Sequence, residues 1–212
     1  MNMQNFNRTY AKNYDLLVWA YRLIGVRDGY YRRQAVKSLD LKPGDTAVDL
    51  ACGTGLNFSL LEKAVKIPGR IIGVDISDAM LDQARKRIHR AGWRNVDLIQ
   101  ISMSNYDFPP GIGGILCTNA INMVADYDPI IRRGAAALRR AGCMALLDVK
   151  QADHPPRWMD FFPNWKRQPF GYSEIFLDRH PWKSVEKYLT KIRYQEYYFG
   201  YMYLSVGERP GE

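Results

Sequence analysis

Read for its apolar and polar positions, the chain divides into three stretches with different rhythms. Residues 5–38 carry apolar and aromatic side chains at helical spacing with no proline among them, which predicts helix. Leu41-Lys42-Pro43-Gly44-Asp45 then reads as a turn. From Thr46 short apolar runs alternate with amphipathic ones. Strands are predicted at Thr46–Ala51, Arg70–Asp75, Val96–Ile101, Gly114–Thr118 and Cys143–Val149. Helices are predicted at Asn57–Lys66, Ser77–Ala91 and Pro129–Arg140, with Ile67-Pro68-Gly69 stopping the first and Ser77 capping the second. Past Gln151 the rhythm breaks at His154-Pro155-Pro156 and aromatic residues crowd the remainder, ending in a strand-like run from Tyr197 to Val206.

Strands alternating with helices at this spacing predict an α/β fold with a doubly wound parallel sheet. Crossovers in such a sheet are right-handed, and ligands sit beyond the carboxyl ends of its strands, where the strand order reverses. The end of the first strand is therefore where chemistry is expected. Three parts follow: a helical segment over 1–44, the α/β core over 45–150, and an aromatic-rich cover with closing strands over 151–212. The last is expected to complete the sheet and cover a substrate, not to form a second domain.

Composition changes this picture little. A chain of 212 residues with 47% hydrophobic and 25% charged residues suits one soluble domain. The apolar run Leu16–Ala20 is too short for a signal core or a membrane span. Cys52, Cys117 and Cys143 are odd in number and dispersed, so neither a disulfide framework nor a metal site is expected, and a cytoplasmic setting fits. Charge is more telling. The net charge is +8, and residues 1–44 hold eight Lys/Arg against three aspartates. Either this is a solvated helix face, or it meets an acidic partner such as an anionic membrane surface. No nucleic-acid motif is visible, and nucleic acid is not expected as a partner. The oligomeric state is not legible.

The chemistry-bearing stretch is Val48-Asp49-Leu50-Ala51-Cys52-Gly53-Thr54-Gly55. A strand followed by spaced glycines and a helix lets the backbone turn sharply and approach a ligand. The helix amino end favours an anionic group. A dinucleotide site wants a third glycine three residues after the second, but position 58 is Phe58, and the register starting at Ala51 puts Leu56 there. No Gly-Lys-Ser/Thr is present, which excludes a phosphate loop. Asp75 ends the second strand, twenty residues beyond Gly55, where an acid accepts hydrogen bonds from both ribose hydroxyls of an adenosine.

With GVDISDAMLDQAR, TNAINMV and LRRAGCMALLDV, this series over residues 40–150 resembles the class I, Rossmann-like, seven-stranded S-adenosylmethionine-dependent methyltransferases. The resemblance implies S-adenosyl-L-methionine as cofactor and S-adenosyl-L-homocysteine as product. It implies Gly53 and Gly55 against the methionine part, Asp49 on its amino group, Asp75 on the ribose, and Ile76 and Met80 near the adenine. Ala51 stands where glycine is more usual. Ser102 stands where an aspartate often binds the adenine amino group, leaving its hydroxyl or the Met103 backbone to substitute. Asn119, after the fourth strand, borders donor and acceptor, either in direct contact or as a turn residue.

The acceptor is read from the chain's two ends. Tyr10-Ala-Lys-Asn-Tyr14-Asp15-Leu-Leu is similar to the opening helix of bacterial phospholipid N-methyltransferases and of ubiquinone and menaquinone C-methyltransferases, where a tyrosine-bearing lid helix covers the cofactor. Tyr10 and Tyr14 share a helix face. Their rings either hold a sulfonium or ammonium by cation–π attraction, about 0.5–2 kcal/mol each, or pack the helix on the sheet. Tyr14 is thus expected in both catalytic and cofactor-binding roles. The basic, aromatic helix and the tail residues Arg157, Trp158, Trp165, Lys166, Arg167 and Trp182 suit a lipid interface. His180 and His154 are candidate proton acceptors, although a histidine beside proline also serves structure. The leading expectation is N-methylation of a phospholipid amine such as phosphatidylethanolamine at the membrane surface. The alternatives are C- or O-methylation of a quinone-like small molecule, a donor-binding protein without catalysis, and an NAD-dependent oxidoreductase, which Phe58 disfavours.

Overall fold

A computed structural model of the chain describes residues 27–157 and 174–211. The helix predicted over 5–38 is described only as α1 (Asp28–Lys37). Its amino-terminal part, with Tyr10 and Tyr14, lies outside the described residues, as do Trp158, Trp165, Lys166 and Arg167.

The core follows the predicted alternation closely. β1 (Thr46–Leu50), α2 (Phe58–Val65), β2 (Arg70–Asp75), α3 (Asp78–Ala91), β3 (Val96–Gln100), β4 (Ile112–Thr118), α4 (Tyr127–Ala137) and β5 (Leu138–Val149) succeed one another. α5 (Glu174–Leu177), α6 (Pro181–Tyr188), β6 (Thr190–Tyr197) and β7 (Met202–Glu208) complete the chain. Ser77 caps α3 as expected, its hydroxyl accepting the Met80 N–H at 3.4 Å, and Gly92 closes it in the left-handed conformation.

The seven strands form one sheet in the order β3-β2-β1-β4-β5-β7-β6. β1 to β5 pair in parallel, whereas β7 runs antiparallel between β5 and β6. The order reverses between β1 and β4, so the switch point lies beyond Leu50 and Thr118. One face of the sheet is covered by α1, α2 and α3, through Ala35, Leu61 and Leu81. The other is covered by α4 and α6, through Ile130, Ile131 and Val185. Val48, Leu50 and Val74 against Ala47 and Ile71 show the alternation that divides the two cores.

Two expectations are corrected. The helix predicted to Arg140 ends at Ala137, and Leu138–Arg140 belong to β5. Leu138 pairs with Ile112, and the Gly111 N–H donates to the Ala137 carbonyl at 2.9 Å. Sheet pairing here overrides local helix preference. The terminal strand predicted from Tyr197 instead starts at Met202; Tyr197 ends β6, and a 3-10 turn over Tyr198–Gly200 makes the hairpin. Tyr198 and Phe199 are left-handed in that turn, and their side chains carry no local sequence signal for it; Gly200 alone does.

Candidate active site

The site is built where β1, β2 and β4 end together. Beyond Leu50 the backbone turns through Ala51, Gly53 and Gly55, with φ of 51°, 57° and 78°. Ala51 adopts a conformation that favours glycine, at a cost on the order of 1 kcal/mol. A side chain at Gly53 would project into open space, so this face of the loop is free to meet a ligand. At Gly55 a Cβ would lie 2.6 Å from the Phe58 ring, and at Gly73 of β2 one would lie 2.7 Å from it. Phe58, fully buried, thus occupies the space under the loop that a third glycine opens in a dinucleotide site.

Asp75 ends β2 and ties the loop down. Its Oδ2 accepts the Gly53 N–H and its Oδ1 the Ser77 N–H, both at 2.8 Å. Burial pushes its carboxyl above the ordinary range, against the lowering effect of those N–H groups. Ile76 beside it is 40% exposed, an apolar surface open at the rim, while Met80 is buried beneath.

Asp49 is fully buried in β1, and the Asn57 side-chain amide donates to both its oxygens at 3.0 and 3.1 Å. Burial pushes its carboxyl up to about 7; the bonds from Asn57 and the nearby Arg32 charge pull the other way. Arg32 of α1, also buried, donates through Nη1 to Asn57 Oδ1 at 3.0 Å and to Thr118 Oγ1 at 2.8 Å. Its Nε donates to Asp28 Oδ2 at 2.6 Å. Asn57 Nδ2 reaches Thr118 Oγ1 as well, at 3.1 Å. This network of Asp28, Arg32, Asn57, Asp49 and Thr118 was not legible as a site in the sequence. It also removes Arg32 and the buried Tyr31, which stacks on Tyr197 with ring centroids 4.6 Å apart, from any outward basic or aromatic helix face.

Of the other expected residues, Asn119 directly follows Thr118 and holds a left-handed φ of 56°. Its N–H donates to the Leu147 carbonyl at 2.8 Å. Ser102 caps a short 3-10 turn, its hydroxyl accepting the Ser104 N–H at 3.3 Å. The Met103 carbonyl accepts from Arg133 at 3.4 Å. His154 and His180 are exposed, and none of the contacts of the Asp49–Asp75 cradle involves them. His180 lies edge-on to Trp182, with centroids 4.7 Å apart.

His180 belongs instead to a second concavity on the carboxyl edge, beyond β5 and β6, with a volume of about 450 Å³. The rings of Trp182 and Tyr194 and the carboxylates of Asp178 and Glu196 line it, with Lys150 between Asp153 and Glu196, at 2.7 Å from each. Trp182, predicted for a lipid interface, packs edge-on against the buried Tyr203 at 4.7 Å. Four carboxylates (Asp153, Asp178, Glu186 and Glu196) face two lysines (Lys150 and Lys191) around it, a local negative balance in a basic chain.

The cradle suits one ligand type. A buried carboxylate pushed up by burial, at Asp49, suits the ammonium of an amino acid. An acid at the end of β2 suits a ribose diol, and the exposed Ile76 suits an adenine ring.

Comparison with known proteins agrees. Residues 47–142 match the model of a methyltransferase domain family. A 37.1 kDa transposon protein of Streptomyces fradiae is 31% identical over 153 residues, covering 70% of this chain and 39% of that protein. The chain thus spans about two fifths of that relative's length. Demethylmenaquinone methyltransferase of Symbiobacterium thermophilum is 26% identical over 211 residues, covering 86% of this chain and 83% of that one. In three dimensions the chain is similar to an S-adenosylmethionine-dependent methyltransferase of Aquifex aeolicus, with a TM-score of 0.65 and 16% identity over 84% of this chain and 89% of that one. It is also similar to the geranyl diphosphate C-methyltransferase of Streptomyces coelicolor A3(2), with a TM-score of 0.64 and 14% identity over 86% and 79%. With the motif loop, the Asp75 acid and the seven-stranded sheet in place, residues 47–142 match a methyltransferase domain, set in a fold similar to that of S-adenosylmethionine-dependent methyltransferases.

Proposed function

We propose that this chain methylates an amine carried by an amphiphilic small molecule, a phospholipid amine head group being the leading candidate. When bound, S-adenosylmethionine supplies a methyl group on a sulfonium, and transfer is an in-line displacement that depends on alignment. The chain's own residues then have distinct tasks. Asp49, oriented by Asn57, takes the ammonium of the methionine part, and Asp75 takes the ribose. Asn119, at the end of β4, lies on the rim between that cradle and the acceptor. Tyr10 and Tyr14 remain candidates for covering the sulfonium, and Ser102 and Met103 for the adenine.

The observation that carries the amine is the concavity beside β5 and β6. Its carboxylate excess favours a cationic group by charge, and the Trp182 and Tyr194 rings, which already face Lys150 and Lys191 at 5.5 and 5.3 Å, show that the site accommodates cations against aromatic faces. The attraction acts while the amine approaches; the nitrogen must lose its proton before attack. Glu196 and His180 line that concavity and are the candidates to accept it, directly or through water.

A second reading is ring methylation of a quinone-type acceptor, favoured by the relatives that carry the name demethylmenaquinone methyltransferase. Both acceptors lie in membranes, which suits attachment of a basic chain to an anionic surface. Among the described residues no helix is long and apolar enough to cross one. The test is incubation with methyl-labelled donor and anionic vesicles containing phosphatidylethanolamine, a demethylated quinol, or neither. Label in the phosphatidylethanolamine supports the amine; label only in the quinol selects the second reading. No transfer to either, with donor bound, sinks both.

A further inference from the structure

Asp148 is fully buried in β5, between Leu147 and Val149, where every neighbour on the strand is apolar. Burying a carboxylate is costly unless something compensates it. Among the described residues the groups that bind it are main-chain N–H groups. Val149 donates to Oδ1 at 2.8 Å and Asn122 to Oδ2 at 3.1 Å, and the N–H groups of Ala120 and Ile121 also stabilise the anion. Three of these four lie in the loop leaving β4, so the carboxylate acts as the hub around which that loop winds.

The loop is held from two further sides. The fully buried Asn122 side chain donates to the Val149 carbonyl and accepts the Tyr203 hydroxyl of β7 at 3.4 Å. The Asn122 carbonyl accepts from Arg179 at 2.6 Å. The outcome of this winding is the left-handed Asn119, immediately after Thr118 and its bonds to Arg32 and Asn57. A strained, non-glycine residue persists where its surroundings over-determine it, and such residues gather at functional sites.

We propose that Asp148 is a positioning residue: its buried carboxylate gathers the loop Ala120–Asn122 and so sets Asn119 on the rim of the donor cradle. The inference rests on the donor site and holds whichever acceptor is methylated. Around Asp148 the titratable groups are Cys117 on β4 and Tyr203 on β7. Burial holds both well above their ordinary values, so neither carries charge near neutrality. Arg179 reaches the loop through the Asn122 carbonyl. Burial pushes the Asp148 carboxyl up to about 6, so the hub loses its charge under mildly acidic conditions.

The test needs no acceptor. S-adenosylhomocysteine affinity, melting temperature and amide hydrogen exchange at Ala120, Ile121 and Asn122 are measured for the wild type and Asp148→Asn. A positioning role predicts donor-product affinity about 10-fold weaker and exchange at those amides at least about 10-fold faster. The melting temperature falls by a few degrees, because an amide offers one acceptor oxygen where the carboxylate offers two and leaves a buried N–H unpaired. Unchanged affinity and exchange overturn the proposal, and so does an equal rise in exchange at sheet amides away from the loop, such as Ile71 and Leu98, which marks a general loosening of the fold. The wild type supplies an independent arm if the variant does not fold. Exchange at those three amides should be at least about 10-fold slower than at Ala125 and Asp126, which follow in the same loop outside the reach of the carboxylate, and equal exchange overturns the proposal.

Discussion

The Asn57 side-chain amide spans both carboxylate oxygens of Asp49, at 3.0 and 3.1 Å, and through Thr118 and Arg32 this pair ties two strand ends, the start of α2 and α1 together. Asn57 is the last residue before α2, and its side chain turns inward to the acid instead of capping the helix. Asp49 is consequently oriented before any ligand arrives. That is preorganisation by a neutral partner, which leaves the anion available to a ligand's ammonium.

A pH dependence follows from the Asp49 carboxyl, raised from 3.8 to about 7. Between those values the folded protein holds a proton that the unfolded chain has released. Donor-free stability therefore falls as pH rises through that window, and Asp148 contributes with the same sign. Donor binding runs oppositely, because the ammonium prefers ionised Asp49. S-adenosylhomocysteine should bind more tightly about one pH unit above 7 than one below, and Asp49→Asn should flatten that difference. Calorimetric titration across the range checks this; tighter binding on the acid side would contradict it.

Removing Arg32 should be expensive. Its loss strands Asp28 and leaves Asn57 and Thr118 short of a donor inside the protein. Arg32→Ala should destabilise the fold by about 3 kcal/mol in denaturant titration. Arg32→Lys should recover little of that, since an ammonium cannot supply the forked donors that reach three partners.

Asp75→Ala removes the acceptor of the Gly53 and Ser77 N–H groups together with the expected ribose contact. Two charge-assisted bonds at about 1.5 kcal/mol each correspond to roughly a 100-fold weaker donor affinity. Asp75→Asn should fall between. Equilibrium binding of S-adenosylhomocysteine, with circular dichroism to verify folding, measures both.

Phe58 and Gly73 should show coupled effects. A Cβ at Gly73 would meet the Phe58 ring at 2.7 Å, so Gly73→Ala alone should cost about 1–3 kcal/mol through overpacking. Phe58→Leu alone should cost a similar amount by leaving a void. The double variant should cost less than the sum, because the smaller side chain makes room for the new methyl. Additive losses would mean that the ring and the glycine are not packed as described.

Local patterns carried much of this architecture. Strand and helix alternation, the Ser77 cap and the spacing from Gly55 to Asp75 depend on residues near one another in the chain, and periodicity and glycine placement report such relationships directly. The start of β5 at Leu138–Arg140 and the Tyr198–Gly200 turn escape such patterns, because sheet pairing decides them.

By itself, the sequence determined the class of the protein: a doubly wound core whose first loop and second strand end suit S-adenosylmethionine. Only the tertiary structure decided how that site is held. Arg32 and Thr118 come from separate elements to bond Asn57, which in turn bonds Asp49, and Asp148 gathers a loop whose role is invisible along the strand. A polar residue in an apolar run looks the same in sequence whether it faces a ligand, a partner charge or a ring of backbone N–H groups. Which of these it meets is settled when the sheet order brings distant strand ends to one edge.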